Sequence, residues 1–318
     1  MNIVVDKPRI VQEIQDLKKK RNAIILAHYY QIDEVQEIAD FIGDSLALAQ
    51  EAAKTNADVI VFAGVHFMAE TAKIICPDKK VLLPDLNAGC SLADSCPEDK
   101  FEAFVKAHPD HTVVTYINTT AKIKALSDII CTSSNAYEIV NSIPKDEKII
   151  FAPDRNLGDY IKSKTGRDMV IWDGHCHVHQ RFSLDKILAL KKANPDAKII
   201  SHPECDKPVL IVSDFVGSTS ALLQYTIKDK SSTYIIATES GILHQMRKEN
   251  PGKSFIPAPP NDSTCACNDC QFMKLIDLNK ILNSLKNDTY EINLEKNLMD
   301  KARTPILRML EISKNLKK

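Results

Sequence analysis

The sequence lacks a surplus of charge of either sign: 41 Lys and Arg stand against 42 Asp and Glu, a formal net charge of -1. So even a balance gives no compositional support to a nucleic-acid partner. There is no apolar run long enough to span a membrane, no low-complexity segment and no long flexible linker, which sets aside simple membrane-spanning and disordered classes. The opening MNIVVDKPR has no basic stretch followed by an apolar core, so no secretory signal is expected and the cytoplasm is the expected compartment. With 44% hydrophobic and 26% charged residues in 318, the chain is expected to be a soluble globular protein with enough apolar mass for two or three domains.

Cysteine, by contrast, is plentiful. Nine stand at positions 76, 90, 96, 131, 176, 205, 265, 267 and 270. In a reducing compartment disulfide staples are rare, and an odd count argues against a fully paired set. Metal or redox chemistry is the remaining use for so many thiols.

Short Ile- and Val-rich runs alternate with amphipathic stretches, the pattern of a mostly parallel α/β protein. A helix opened by Asp6 and Pro8 carries Ile10, Val11, Ile14 and Leu17 at helical spacing, ends in the basic run 18–21, and is followed by the strand candidate AIILAHYY. That unit recurs twice, in PEDKFEAFVKAHPDHTVVTYINTT and SLDKILALKKANPDAKIISHPEC. The strand ends hold His28, Tyr116 and His202, spaced 88 and 86 apart, and Asp40, Asp128 and Asp214 in ADFIGDS, SDIICTSS and SDFVGSTS repeat those spacings. From His28 to Ser45, Tyr116 to Ser133 and His202 to Thr219 the offset is 17 each time. Each hydroxyl precedes a helical stretch, where an N-cap oxygen would accept backbone N–H bonds.

The expected fold is therefore α/β: three similar three-layer αβα units with parallel sheets, in a pseudo-threefold arrangement around a central active site. The expected boundaries are 1–94 for the first unit, joined by C-terminal helices in 274–318, then 95–178 and 179–273. Ligands of open α/β sheets bind beyond the carboxyl ends of the strands, where this chain carries His28, Tyr30, Tyr116, Asn118, His202 and Glu204. Helix N-termini at Ser45, Ser133 and Thr219 would favour an anion there, a phosphate or carboxylate. Taken singly, a Ser or Thr cap is more often structural; the threefold register favours ligand contact.

The repeat also sorts the thiols. Cys90 lies 50 residues after Asp40 and Cys176 lies 48 after Asp128, while Cys265, Cys267 and Cys270 lie 51, 53 and 56 after Asp214, so spacing alone favours Cys265. One thiolate from each unit suits iron–sulfur ligation, with one iron left open to substrate. Zinc competes, although the chain offers only one C-x-x-C pair, Cys267 with Cys270.

The ordered segments AHYYQ (27–31), GDSLALA (43–49), GCSLADSC (89–96), TYINTTAKIKALSD (115–128), CTSSNA (131–136), GHCHVHQRF (174–182), SHPEC (201–205), SDFVGSTS (213–220) and CNDCQFMKL (267–275) resemble the quinolinate synthases, iron–sulfur enzymes of NAD biosynthesis, over nearly the whole chain. The resemblance implies a [4Fe-4S] cluster held by Cys90, Cys176 and Cys270, with one open iron. Cys270 is matched through Met273 and Lys274, against the spacing argument for Cys265. It implies condensation of iminoaspartate with dihydroxyacetone phosphate to quinolinate, with release of phosphate and two waters. It further implies substrate contacts at His28, Ser45, Tyr116, Ile117, Asn118, Ser133, His202, Pro203, Glu204 and Thr219, and catalytic roles for Glu204, Tyr30, His179 and His28. A disulfide among Cys265, Cys267 and Cys270, and a transient contact with an aspartate-oxidising enzyme, are further implications; no membrane or nucleic-acid partner is expected. Cys76 reads as core, and Cys96, Cys131 and Cys205 as non-ligands. His66, His175 and His177 receive no role. The competing function class is an iron–sulfur or zinc-thiolate redox sensor or binding protein, which leaves the 17-residue offsets unexplained.

Overall fold

The computed structural model of the protein describes residues 7–261 and 269–315. Twelve short strands in that span form three four-stranded sheets. The first contains β1 (Ala23–His28), β2 (Phe41–Gly43), β3 (Val59–Ala63) and β4 (Lys80–Leu82); the second β5 (His111–Tyr116), β6 (Ile129–Cys131), β7 (Lys148–Ala152) and β8 (Met169–Ile171). The third contains β9 (Lys198–Ser201), β10 (Phe215–Val216), β11 (Thr233–Ala237) and β12 (Ser254–Pro257). The orders are β2-β1-β3-β4, β6-β5-β7-β8 and β10-β9-β11-β12, so each unit repeats one topology. Every pairing is parallel, which requires a crossover between neighbours and accounts for the helices that alternate with the strands. The third strands, VIVFA, KIIFA and TYIIA, are buried throughout or after their first residue, as sheets covered on both faces demand. Three parallel sheets with flanking helices are the α/β class expected from the repeat.

The landmark aspartates hold each sheet together. Ile25 N donates to Asp40 Oδ2 at 2.7 Å, Val113 N to Asp128 Oδ2 at 2.7 Å and Ile199 N to Asp214 Oδ2 at 2.8 Å. The backbone N–H of each aspartate returns a bond to the carbonyl of the same partner. Each carboxylate thus closes a two-way clamp between the first strand of its sheet and the segment entering the short edge strand. The repeat spacing of these residues is a folding signal rather than a ligand signal.

Two of the three N-caps lie one residue earlier than the hydroxyls expected in that place, and the third lies two residues later. Asp44 caps the helix Ser45–Lys54 by accepting from Ala47 N at 3.0 Å, and Ser218 caps Thr219–Lys228 by accepting from Ala221 N at 3.3 Å. Both have the extended backbone a cap requires, so Ser45 and Thr219 become first helical residues. Asn135 occupies the corresponding position before the helix Ala136–Ser142, its Oδ1 accepting from Thr132 N at 2.6 Å, and Ser133 lies in the preceding turn.

Two compact units emerge, one built from the chain up to Gly89 with Gln271–Glu295, the other from Cys90–Cys270 with the final helix. The second and third sheets share the latter unit. In the former, the helix Leu278–Asn287 packs on the helix Lys7–Arg21 and on β3. The final helix, Lys296–Asn315, was expected there too, but it packs on β6 and the helices Ala121–Ala125 and Ala136–Ser142. Its buried stripe, Ala302, Ile306, Met309 and Leu310, has helical period, and Asn135 Nδ2 donates to Ser313 Oγ at 2.8 Å. Among the described residues no helix is long and apolar enough to cross a membrane.

Candidate active site

In the unit carrying the second and third sheets, β5 ends at Tyr116, β9 is followed by His202–Pro203–Glu204, and β11 by Thr238. These strand ends, one from the second sheet and two from the third, bring their polar residues to one place. Tyr116 O–H donates to Glu204 Oε1 at 2.5 Å, and His179 Nδ1 lies 2.9 Å from Glu204 Oε2. His202 Nδ1 stands 3.7 Å from Glu204 Oε1, and its Nε2 lies 3.2 Å from Ser133 Oγ. The two imidazoles stack with centroids 4.6 Å apart, and His179 Nε2 is 2.9 Å from Thr238 Oγ1. Tyr116, His179, His202, Pro203 and Glu204 are all buried.

Burial alone would neutralise Glu204. The charges of His179 and His202 and the hydrogen bonds from His179 and Tyr116 outweigh it and hold the carboxyl below its usual range. Glu204 is therefore a buried, ionised carboxylate whose Oε1 accepts from a phenol while Oε2 faces His179. Asp154 has the opposite environment. Burial, and then the charge of Glu204, push its carboxyl well above the ordinary value.

The loop after β5 is fixed by residues that sequence reasoning passed over. Ile117 N donates to Cys131 O at 2.8 Å, and the buried Lys124 ammonium donates to Ile117 O at 2.8 Å and also to Thr119 O. Among the described residues Asn118 Oδ1 is buried with no hydrogen-bond partner, an acceptor a ligand can satisfy. Asn156 Nδ2 donates to Glu204 O at 3.0 Å, pinning the His202–Glu204 turn. Thr238 and Asn156 follow the third strands of their units by one and four residues, so strand-end register was the signal that could have found them.

Cys90, Cys176 and Cys270 belong to this same compact unit and are partly exposed. Burial pushes the Cys90 thiol up to about 12, and the charges of Cys270 and Glu204 add to the effect. Cys176 is raised by burial and then by Glu204, Cys90 and Cys270. The charge of neighbouring thiolates thus opposes ionisation of Cys90 and Cys176, a repulsion that a bound cationic centre would relieve. Their soft thiolate chemistry fits an iron–sulfur cluster. Separately, Cys176 Sγ, a His179 ring nitrogen and a Glu204 oxygen lie within 4.8 Å of one another, so this group also could hold a metal. Ser91 Oγ lies 2.5 Å from His177 Nδ1 and Trp172 Nε1 donates to Ser95 O at 3.1 Å, which gives His177 a role in joining the Cys90 and Cys176 segments.

The remaining thiols are structural where described. Cys76 donates to Ala52 O, Cys205 to Ala237 O, Cys96 packs with Phe101 and Val113, and Cys131 is buried in β6. Cys265 and Cys267 lie outside the described residues. In the first compact unit, His28 ends β1, Tyr30 N donates to His28 Nδ1 at 3.2 Å, and the two rings meet edge-on at 4.4 Å. Lys274 Nζ donates to Tyr30 O at 2.7 Å. Ser45 opens its helix in that unit, and Thr219 is buried at the start of its own.

The family model described as Quinolinate synthetase A protein (NadA) matches residues 12–311. The quinolinate synthase of Trichormus variabilis is 62% identical over 300 residues, covering 94% of this chain and 92% of the relative. That of Thermosynechococcus vestitus is 59% identical over 304 residues, covering 96% and 95%, and that of Chloroherpeton thalassium 56% identical over 305 residues, covering 96% and 95%. The likeness runs through both compact units and every segment that carries the site: the chain belongs to the quinolinate synthetase A protein family.

Proposed function

We propose that this enzyme of NAD biosynthesis forms quinolinate by condensing iminoaspartate with dihydroxyacetone phosphate, releasing phosphate and two waters, with a [4Fe-4S] cluster held by Cys90, Cys176 and Cys270. The observation that carries the reading is the convergence, in one compact unit, of those three thiols with the Tyr116–Glu204–His179–His202 network. A sensor or carrier would need the thiols alone. When bound, a cluster with one iron free of cysteine supplies a Lewis acid that eases departure of hydroxide.

The chain's own residues supply the rest. Building the ring requires C–C bond formation, phosphate loss, carbonyl–amine condensation and dehydration, with several proton transfers and no net electron transfer. The ionised Glu204 carboxylate accepts a proton, and Tyr116 O–H, already bonded to Oε1, stabilises the charged form. His179 and His202 hold the carboxylate in place while Ser133 and Asn118 offer polar atoms to substrate. Ser45, Thr219, His28, Ile117 and Pro203 complete the proposed substrate set, and Tyr30, His179 and His28 join Glu204 in the proposed catalytic set. Because imines hydrolyse, a transient association with the aspartate-oxidising enzyme that supplies the imine, in the cytoplasm, belongs to the same proposal.

Glu204→Gln preserves the side chain's shape and removes its basicity. It is expected to retain iron, bind substrate and lose about 100-fold or more in turnover; full quinolinate-forming activity in this variant would contradict the assignment. The mixed donors Cys176, His179 and Glu204 favour zinc as the second reading. Metal analysis separates the two, because stoichiometric zinc without sulfide would support that reading.

A further inference from the structure

The repeat contains a third device besides the strand ends and the aspartate clamps. His66 stands three residues beyond β3, and its N–H donates to Ala88 O, two residues before Cys90, at 2.7 Å. Arg155 stands three residues beyond β7, and its N–H donates to Gly174 O, two residues before Cys176, at 2.8 Å. In both sheets, then, the turn after the third strand grips the backbone that leads into a ligand cysteine. The grip is close at Gly174, where a Cβ would fall 2.5 Å from Pro153 O and 2.4 Å from Ser95 Oγ. Only glycine fits that approach.

By register the third sheet should do the same from the turn after β11. There the grip falls on the cysteine itself. Glu239, fully buried, accepts from Cys270 N through Oε1 at 3.0 Å and from Gly241 N through Oε2 at 2.7 Å. Ser240, three residues beyond β11, donates its hydroxyl to Asp269. Two consecutive residues of the turn therefore hold two consecutive residues of the cysteine segment. Both Glu239 oxygens are spent on backbone N–H groups, so this buried carboxylate has a fixed orientation and makes the strong, charge-assisted kind of bond.

We propose that the Glu239–Ser240 turn is a latch that delivers Cys270, in preference to the neighbouring Cys265 and Cys267, to the third ligand position. Glu239 acts as a positioning residue. The inference rests on the cluster reading above and goes beyond it, since three thiols lie within six residues of sequence and that reading does not say what chooses among them. Groups behind metal ligands fix their orientation and are costly to remove, and here such a group acts on the ligand's backbone.

The test uses anaerobically purified holoenzyme, brief alkylation with iodoacetamide, and mapping of each modified cysteine by mass spectrometry, with the electron paramagnetic resonance spectrum of the reduced protein in parallel. In the wild type Cys90, Cys176 and Cys270 are expected to be protected, and Cys265 and Cys267 modified. In Glu239→Ala, and more weakly in Ser240→Ala and Glu239→Gln, alkylation of Cys270 is expected to rise about tenfold or more, the scale of a lost hydrogen bond to a charged acceptor. Cys90 and Cys176 stay protected, and the spectrum changes shape. Those two thiols are the internal control: general loosening would expose all three together, and that outcome would overturn the latch. Should the buried Glu239→Ala variant fail to fold, Ser240→Ala and Glu239→Gln carry the same comparison. Protection and spectra identical to wild type in the folded variants would overturn the latch while leaving the cluster reading intact. A wild type without iron and sulfide would overturn both.

Discussion

Glu204 and Asp229 are both carboxylates held below their usual range, and they differ in what the depression is for. At Asp229 the hydrogen bond from Lys198 is the main cause; Lys198 Nζ is 2.6 Å from Oδ1, and Ser231 N and Tyr234 O–H donate to Oδ2. Because the folded carboxyl has the lower pKa, its stabilising contribution is complete above the unfolded value near 4 and is lost as pH falls through the folded one. Asp229→Asn is therefore expected to cost about 1 to 3 kcal/mol at pH 7, with the gap to wild type closing below about pH 4. Denaturant titrations at the two pH values check this. At Glu204 the depression keeps the carboxyl ionised beside the two imidazoles, the state from which the proposed proton transfer starts. Tyr116→Phe, which removes the donor at 2.5 Å, is expected to keep the fold and lower turnover by about tenfold or more. A steady-state assay of a variant with unchanged iron content checks it, and unchanged turnover would remove Tyr116 from the chemistry.

At the scale of elements, the clamps at Asp40, Asp128 and Asp214 make the repeat measurable. Asp→Ala at any one strands the N–H of Ile25, Val113 or Ile199 next to a buried strand, an expected loss of about 1 to 3 kcal/mol in each case. Thermal or denaturant unfolding of the three variants should give comparable losses, and a variant of wild-type stability would mean that its clamp is redundant. The spacing of these aspartates was visible in the sequence, but their purpose was not, because a carboxylate that closes a sheet and one that meets a ligand leave the same trace in a periodic pattern. The caps were misread for a related reason. Asp44 and Ser45, like Ser218 and Thr219, are adjacent polar residues that could each cap a helix, and only the backbone angles decide between them. The last helix shows a different gap: its apolar stripe announces that it packs, and nothing local says on which sheet. Lys124 and Asn156 were invisible because their partners are backbone carbonyls, which carry no side-chain signature.

At the scale of the whole molecule, three sheets share one strand order, and the second and third of them supply the candidate site within one compact unit. Strand ends of those two sheets meet, so residues tens of positions apart in sequence come to lie side by side, as Tyr116 and Glu204 do across 88 residues. The three thiols likewise keep a common place in the repeat, each following the fourth strand of its sheet, β4, β8 or β12. Spacing alone points to Cys265 in the third unit and the family motif to Cys270; the turn at Glu239 holds Cys270, and Cys265 lies outside the described residues. The central claim is that Cys90, Cys176 and Cys270 hold one iron–sulfur centre. Its most direct test is iron and sulfide quantification in anaerobically purified wild type and in Cys90→Ser, Cys176→Ser, Cys270→Ser, Cys265→Ser and Cys267→Ser. The account predicts about four irons and four sulfides in the wild type and in the last two variants, with loss of a stable cluster in the first three, where a hard oxygen replaces a soft thiolate. A Cys265→Ser protein without iron beside a Cys270→Ser protein with a full cluster, or a wild type holding zinc and no sulfide, would contradict it.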